Sequence, residues 1–270
     1  MKKFSFSFYL GLAILLFFLV MALFAPRLSP CDPYDFGRPY LKPSPEHLLG
    51  TNDVGQDILS EIIYGSRVSL SIGLVSALVV TVIGASVGMI SGYYGGRCDS
   101  ILMKITSIAM AIPSLPMTIV LVAYLDASIW NLIIAICITA WTSTARIVRS
   151  RVISLKEQPF IKIEKTLGGK TGYILFRHIL PNLSDIVFTR GILSVSSAML
   201  TEASLSFLGL GVLGQKSWGG TLHYAYIRNG LLNNYYWWYL PPILCISLSV
   251  LGFMLVGSAK PARKGESKGC

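Results

Sequence analysis

The sequence predicts an all-α membrane protein with six transmembrane helices. Only 13% of the 270 residues are charged and 53% are hydrophobic, whereas about 25% are charged in a typical soluble domain. The apolar residues also form long continuous runs instead of alternating with polar residues at strand or helix spacing. This composition argues against a soluble enzyme and excludes a disordered chain. The five scattered cysteines, with no Cys-x-x-Cys pair, exclude a disulfide-built secreted domain.

Six runs are long enough to cross a bilayer, which takes about 20 apolar residues in a helix. All but one lack charged residues, and the exception, the fifth run, contains Arg190 and Glu202. The apolar core of the sixth run begins near Trp237. In chain order, the runs span residues 4–26, 68–96, 105–125, 127–145, 186–211 and 229–259.

The first run has two interpretations. Lys2 and Lys3 precede it, as in a cleavable signal peptide, but the run exceeds the usual apolar region of such signals and no Ala-x-Ala site follows. The sequence therefore favours a retained anchor helix.

The distribution of lysine and arginine predicts the orientation, because cytoplasmic loops carry an excess of both. With a cytoplasmic N-terminus, 16 of the 23 basic residues fall on the cytoplasmic side and 6 on the outer side, while Arg190 lies within a span. We therefore expect a multi-pass protein of the plasma or inner membrane with both termini in the cytoplasm. Nucleic-acid binding is not expected, since the basic residues flank spans and lack interleaved aromatics.

The chain divides into three predicted parts. Residues 1–66 form the anchor helix and an extracytoplasmic segment, residues 67–259 form a five-helix core with a cytoplasmic loop at 146–185, and residues 260–270 form a cytoplasmic tail. In the outer segment, Ile58 to Tyr64 could form an amphipathic helix against the membrane. Asp53, Asp57 and Glu61 are spaced by four and would share one face if this helix extends that far. That face could serve as a surface for binding or gating. The alternative is an ordinary solvated face.

The cytoplasmic loop contains two predicted helical stretches. The first runs from Ser154 to Leu167, is broken around Pro159 and ends at Gly168-Gly169; the second runs from Tyr173 to Leu180 and stops at Pro181. A helix, a glycine turn and a helix could dock a soluble partner. The alternative is a basic, solvated loop.

The sequence gives little support for catalysis, cofactors or metals. Gly169-Lys170-Thr171 resembles the end of a phosphate-binding P-loop, but Glu164 occupies the position that requires glycine. The three histidines lie on loops on both sides of the membrane, so together they cannot bind one metal. We expect neither nucleotide binding nor a resident cofactor or metal.

Arg190 and Glu202 are the ionisable residues within a span, where such residues are often functional. About 18 Å of helix separates them, so they cannot pair. Arg190 could extend its headgroup to the cytoplasmic surface. Glu202 should face a polar cavity or a partner helix, in either a structural role or the substrate pathway.

Several motifs together carry a resemblance to one family, and they occur in order over nearly the whole chain. The chain resembles an ABC-importer permease of the dipeptide, oligopeptide and nickel type, specifically the second of its two permease subunits. The motifs cover residues 47–57, 64–70, 92–96, 112–114, 167–168, 176–182, 202–211 and 217–219.

The resemblance implies a type I ABC-importer fold and a set of partners. These are a second homologous permease, two cytoplasmic ATPases that hydrolyse ATP, and an extracytoplasmic solute-binding protein that delivers di- or oligopeptides, or alternatively nickel or a metal chelate. It also implies that a loop helix couples the permease to an ATPase. The candidate residues of the substrate pathway are Glu202 and Ser206. The implied coupling residues are Phe160, Ile163, Glu164, Thr166, Leu167, Gly168 and Gly169.

The chain departs from the family pattern at a few positions. The coupling triplet, usually Glu-Ala-Ala, reads Lys162-Ile163-Glu164, and Gln56 stands where arginine is usual. Two other classes remain as rivals. An intramembrane enzyme would need converging reactive groups in the spans, and a secondary transporter would often show inverted repeats, which this sequence lacks.

Overall fold

The computed structural model describes residues 6–259, which form helices joined by loops, the longest at residues 29–57, with no named strand. The predicted tail at 260–270 and the two N-terminal lysines lie outside the described residues. The helices are α1 Phe6–Leu23, α2 Ala25–Leu28, α3 Ile58–Tyr94, α4 Gly96–Ala111, α5 Ser114–Tyr124, α6 Ile129–Lys156, α7 Pro159–Thr166, α8 Thr171–Tyr173, α9 Leu180–Leu205, α10 Trp218–Ile227 and α11 Tyr236–Ser258, with π-helical turns at Ile174–Ile179 and Ser206–Leu210.

The spans confirm the predicted all-α polytopic class. Within residues 6–259, five helices are long and apolar enough to cross a membrane: α1, α3, α6, the continuous stretch Thr171–Leu210, and α11. The sixth candidate is α4 with α5, which bend by 84° at a short break.

This break corrects the third predicted span, which was expected to be one helix over 105–125. Ile112 is extended (φ −91°, ψ 126°), as expected for a residue that precedes a proline. Pro113 also lacks the N–H that would continue the helical hydrogen bonding. The predicted cytoplasmic segment at 97–104 is itself helical and forms the first half of α4.

Two other predicted boundaries are wrong. The short amphipathic helix expected at 58–64 is continuous with the second span, as the start of α3. The helix expected to stop at Pro181 continues into α9. A π-helical turn precedes this proline, in which the Leu180 N–H bonds to the Leu175 carbonyl five residues back. The wider turn shifts the bonding register just before the residue that has no N–H to donate.

Contacts divide the chain into two compact units. The first comprises the described residues up to Ser71 with 206–209 and 214–259. In it α1 and α10 pack on α11, and Gly11 allows close approach, since a Cβ there would lie 2.9 Å from the Gly252 carbonyl oxygen. The Trp218 indole donates to the Ile62 carbonyl at 2.9 Å and its ring packs edge-on against Phe18.

The second unit comprises residues 72–205 and 210–213. Here α3 packs on α6 through three glycines spaced by four, at 84, 88 and 92. A Cβ on each would lie 2.5–2.8 Å from a backbone carbonyl oxygen of α6, the closest being Ala145 against Gly88. Small residues at this spacing let two membrane helices bring their backbones together.

Gly88→Ala should destabilise the protein by about 1–3 kcal/mol, the usual cost of overpacking a close interface. The added methyl would meet backbone, which cannot rotate away. The measurement is thermal unfolding of the purified full chain. The matched control is Gly191→Ala, where an added Cβ would lie at an ordinary 3.5 Å from the Thr81 hydroxyl. Equal stability of the two variants would contradict close α3–α6 packing.

Candidate functional site

The short helix α7 and its glycine turn contain every coupling residue that the sequence predicted. Pro159 occupies the first turn, where a missing N–H costs nothing, and the helix ends at Thr166. Gly168 follows at φ +82°, a conformation that glycine adopts without strain. Its N–H donates to Lys165 O (3.2 Å) and the Gly169 N–H donates to Glu164 O (3.0 Å). This pair of bonds is a Schellman motif, which ends the helix at a defined angle.

One side of α7 is anchored to the helices of its own unit. Ile161 is only 2% exposed and belongs to a buried apolar cluster. The cluster packs α7 against α3, the end of α6, the start of α9 and the π-helical turn. Its other buried members are Ala85, Val148, Val152, Leu155, Ile174, Ile179 and Leu183.

The other side of α7 is apolar and exposed. Phe160, Ile163 and Leu167 are spaced by three and four, so they share one face of the helix. All three are exposed, Leu167 at 77%. A single apolar residue on a surface is ordinary, but three on one short face form a surface suited to a partner protein.

Charged groups surround this apolar face. Lys162 pairs with Glu157 at 2.8 Å, and this hydrogen bond, with the charge of Lys162, holds the pKa of the Glu157 carboxyl below its usual value. Glu164 Oε2 lies 3.9 Å from His178 Nε2. The exposed Thr166 hydroxyl donates back to the Lys162 carbonyl. Polar groups thus ring the apolar centre, as in a typical protein interface.

The intramembrane candidates are buried within the chain. Glu202 is buried in the second unit, and Ser206 is buried in the first. A cavity of about 620 Å³ lies in the second unit beside α4 and Arg149, and neither candidate lines it. Arg190 donates to the Ser143 hydroxyl at 3.1 Å, so its guanidinium contacts α6.

An ion pair beside this cavity was not identified from the sequence. Arg149 binds both carboxylate oxygens of Asp99, each at 2.5 Å, and Ser91 also donates to Asp99. The pair joins the first turn of α4 to α6. Fifty residues separate the partners, and no local pattern marks them.

The three carboxylates of the segment before α3 do not form a shared helical face. Because α3 begins at Ile58, Asp53 and Asp57 precede the helix. Each carboxylate has its own cationic or imidazole partner instead: Arg228 for Asp53 (2.8 Å), His47 for Asp57 (3.0 Å) and Lys216 for Glu61 (2.5 Å).

The Glu61 pair is the centre of a buried polar network that the sequence analysis missed. Lys216 also donates to the Gln56 side-chain oxygen at 2.6 Å, and the Asn52 amide donates to both Gln56 and Glu61. Lys216 was missed because it lies 155 residues beyond Glu61 in an otherwise unremarkable loop.

Residues 84–259 match the family of binding-protein-dependent transport system inner membrane components. The chain belongs to this family. The match begins within α3 and runs through α7, so it includes the predicted coupling residues. The permease is therefore a multi-pass inner-membrane transport component of the ABC-importer class rather than an enzyme.

Curated relatives extend the similarity to nearly the whole permease. It is 40% identical over 254 residues to the oligopeptide transport system permease protein of Bacillus subtilis, covering 92% of this chain and 81% of that protein. The dipeptide transport system permease proteins of B. subtilis and Haemophilus influenzae are 36% and 34% identical, each match covering 92% of this chain and 78% and 86% of theirs.

Proposed function

We propose that this permease forms part of the translocation pathway for di- and oligopeptides in an ATP-driven importer. The observation that supports this proposal most strongly is the 40% identity to an oligopeptide permease over 92% of the chain. Other similar relatives are named for dipeptides or peptides. Nickel or a metal chelate is the alternative cargo, and none of these relatives is named for it.

The proposed assembly contains this permease, a second homologous permease, two cytoplasmic ATPases and an extracytoplasmic solute-binding protein. The permease core is residues 67–259, and its loop at 146–185 contacts an ATPase. The exposed apolar face of α7 supports this role, because it offers a surface for an ATPase cleft. The buried Ile161 cluster supports it too, because it connects that surface to the spans.

Within this proposal, seven residues form the coupling element and two belong to the substrate pathway. The pathway residues are Glu202 and Ser206. The coupling element comprises Phe160, Ile163, Glu164, Thr166, Leu167, Gly168 and Gly169.

The test measures uptake of a labelled peptide in cells that lack the chromosomal permease, before and after the permease is restored. Restoring the permease with its ATPases and solute-binding protein should restore uptake, whereas an ATPase variant unable to hydrolyse ATP should not. Nickel uptake measured in parallel is the comparison. Nickel import without peptide import would show that the cargo is the alternative, nickel. Import of either cargo without ATP hydrolysis would contradict the ATP-driven mechanism.

The orientation makes a separate prediction, with residues 29–57 outside and both termini in the cytoplasm. Phe36 is strongly exposed, so Phe36→Cys should react with an impermeant thiol reagent added to intact cells. Cys98 in the first turn of α4 should react only after the cells are opened. Mass spectrometry of the labelled peptides distinguishes the two sites, and external labelling of Cys98 would reverse the topology.

A further inference from the structure

Three side chains of different chemistry meet in the segment between α2 and α3. One ligand-type atom from each of Cys31, His47 and Asp57 lies within 4.8 Å of the other two. The residues come from three separate points of the chain, all within the first compact unit. From this geometry we propose that Cys31, His47 and Asp57 bind one zinc ion that clamps the segment, with a water molecule as the fourth ligand.

The ligand set selects the metal. A thiolate, an imidazole and a carboxylate are all common zinc ligands, and zinc with three protein ligands keeps one open position. Calcium and magnesium take oxygen ligands almost exclusively, so a site with sulfur and nitrogen disfavours them. A thiolate and a carboxylate beside a neutral imidazole also carry two negative charges, which match a divalent cation.

The distances suit a small ion. His47 Nδ1 lies 3.0 Å from Asp57 Oδ1. Two ligand atoms bound at about 2.0 Å in a tetrahedral site lie roughly 3.3 Å apart, so the ion would replace the proton that these atoms now share. Cys31 Sγ, which lies within 4.8 Å of both atoms, would lie about 3.5 Å from each in a tetrahedral site with a zinc–sulfur bond of about 2.3 Å.

Groups around the three residues hold them in place. The Ser60 N–H and hydroxyl donate to Asp57 Oδ2 at 2.8 and 2.7 Å, which leaves Oδ1 directed at His47. The same Ser60 oxygen accepts the Cys31 N–H at 3.2 Å. Such outer-shell bonds orient metal ligands and typically contribute about 10–100-fold to metal affinity.

Burial also distinguishes this group from an ordinary surface cluster. The Asp57 side chain is 1% exposed, whereas that of His47 is 23% exposed and leaves an entry path. The burial of Asp57 and its bonds to Ser60 indicate a resident ion rather than transported cargo. The sequence did not suggest such a site, because only the histidines were compared with one another; Cys31 and Asp57 supply the missing ligands.

Zinc binding by the full-length permease, co-purified with its transport partners, tests the proposal. After chelator treatment and reloading with zinc chloride, the wild type should retain one zinc ion that Cys31→Ser loses. Affinity should fall by at least about 100-fold, since even outer-shell changes cost about 10–100-fold. Cobalt chloride should produce a thiolate-to-cobalt charge-transfer band in the wild type and not in Cys31→Ser. Cys98→Ser is the matched control and should change neither result.

A second measurement needs no variant. Zinc should protect Cys31 of the wild type from alkylation, read by mass spectrometry at that residue, while Cys98 reacts at an unchanged rate. Unprotected Cys31 in the presence of zinc would overturn the proposal, as would a cobalt–thiolate band that persists in Cys31→Ser. Neither readout depends on transport, so both stand apart from the test of the peptide-import function.

Discussion

Gly168→Val is expected to abolish ATP-driven uptake while leaving the permease folded and assembled. Gly168 has φ +82°, where a residue with a Cβ is strained by about 1–2 kcal/mol and a β-branched residue is worse. An added Cβ would have no neighbour within 4 Å, so the cost comes from the backbone alone. Valine should therefore open the Schellman turn and re-aim α7 without disturbing the spans.

Two measurements test this prediction. Peptide uptake reports transport, and co-purification of the second permease and the ATPases reports assembly. Uptake should fall to background, whereas the amount of permease and its pairing with the second permease should stay near wild type. Loss of ATPase co-purification together with uptake would fit the same cause, because α7 is the proposed docking helix.

Two further variants separate backbone strain from added bulk. Gly172→Val adds the same side chain in the same loop, also with open space around the Cβ but without a positive φ, and should transport normally. Gly168→Asn should recover much of the activity, because asparagine tolerates the left-handed conformation at a helix end. Wild-type uptake by Gly168→Val would show that α7 is not the coupling element.

The sequence was sufficient wherever structure follows from local chemistry. Uninterrupted hydrophobicity identified the spans, since a helix in lipid must satisfy its own backbone hydrogen bonds. Proline and glycine marked both ends of α7, because Pro159 suits a first turn and Gly168 suits a left-handed cap. These signals lie within a few residues of the structure that they predict.

The errors arose where a local signal had more than one structural outcome. Pro113 broke a span with an 84° bend, whereas Pro181 lies in a continuous helix because a π-helical turn precedes it. Hydropathy reports neither result, since it carries no information on how the backbone hydrogen bonds rearrange before a proline. Hydropathy also failed to locate the start of α3. The amphipathic stretch at 58–64 and the span predicted at 68–96 belong to one continuous helix.

Contacts between distant parts of the chain could not be predicted at all. Asp53, Asp57 and Glu61 were noted for their common spacing, yet each has a different partner, two of them more than 150 residues away. A spacing rule assumes one continuous helix, and a loop before Ile58 removes that assumption. The resemblance identified the family but contained no information on these pairs.

The pair between Lys216 and Glu61 leads to the second large expected effect, a loss of stability in Lys216→Met. The two side chains are only 16% and 4% exposed and their charged atoms lie 2.5 Å apart. Removing one partner of a buried pair leaves an uncompensated charge, which costs about 3–5 kcal/mol. Asn52 would still donate to Glu61, but a neutral amide cannot balance a carboxylate. Thermal unfolding and the monodisperse yield of the full-length permease in complex measure the loss.

A double variant identifies the cause. Lys216→Met combined with Glu61→Leu removes both charges, and buried pairs replaced by apolar residues are often as stable as the original. We therefore expect the double variant to be more stable than Lys216→Met alone. Lys162→Met breaks the exposed pair with Glu157 and should change stability little, because water already solvates both groups. If the double variant is no more stable than Lys216→Met, the loss comes from lysine packing, including its position over the Tyr34 ring, and not from a stranded charge.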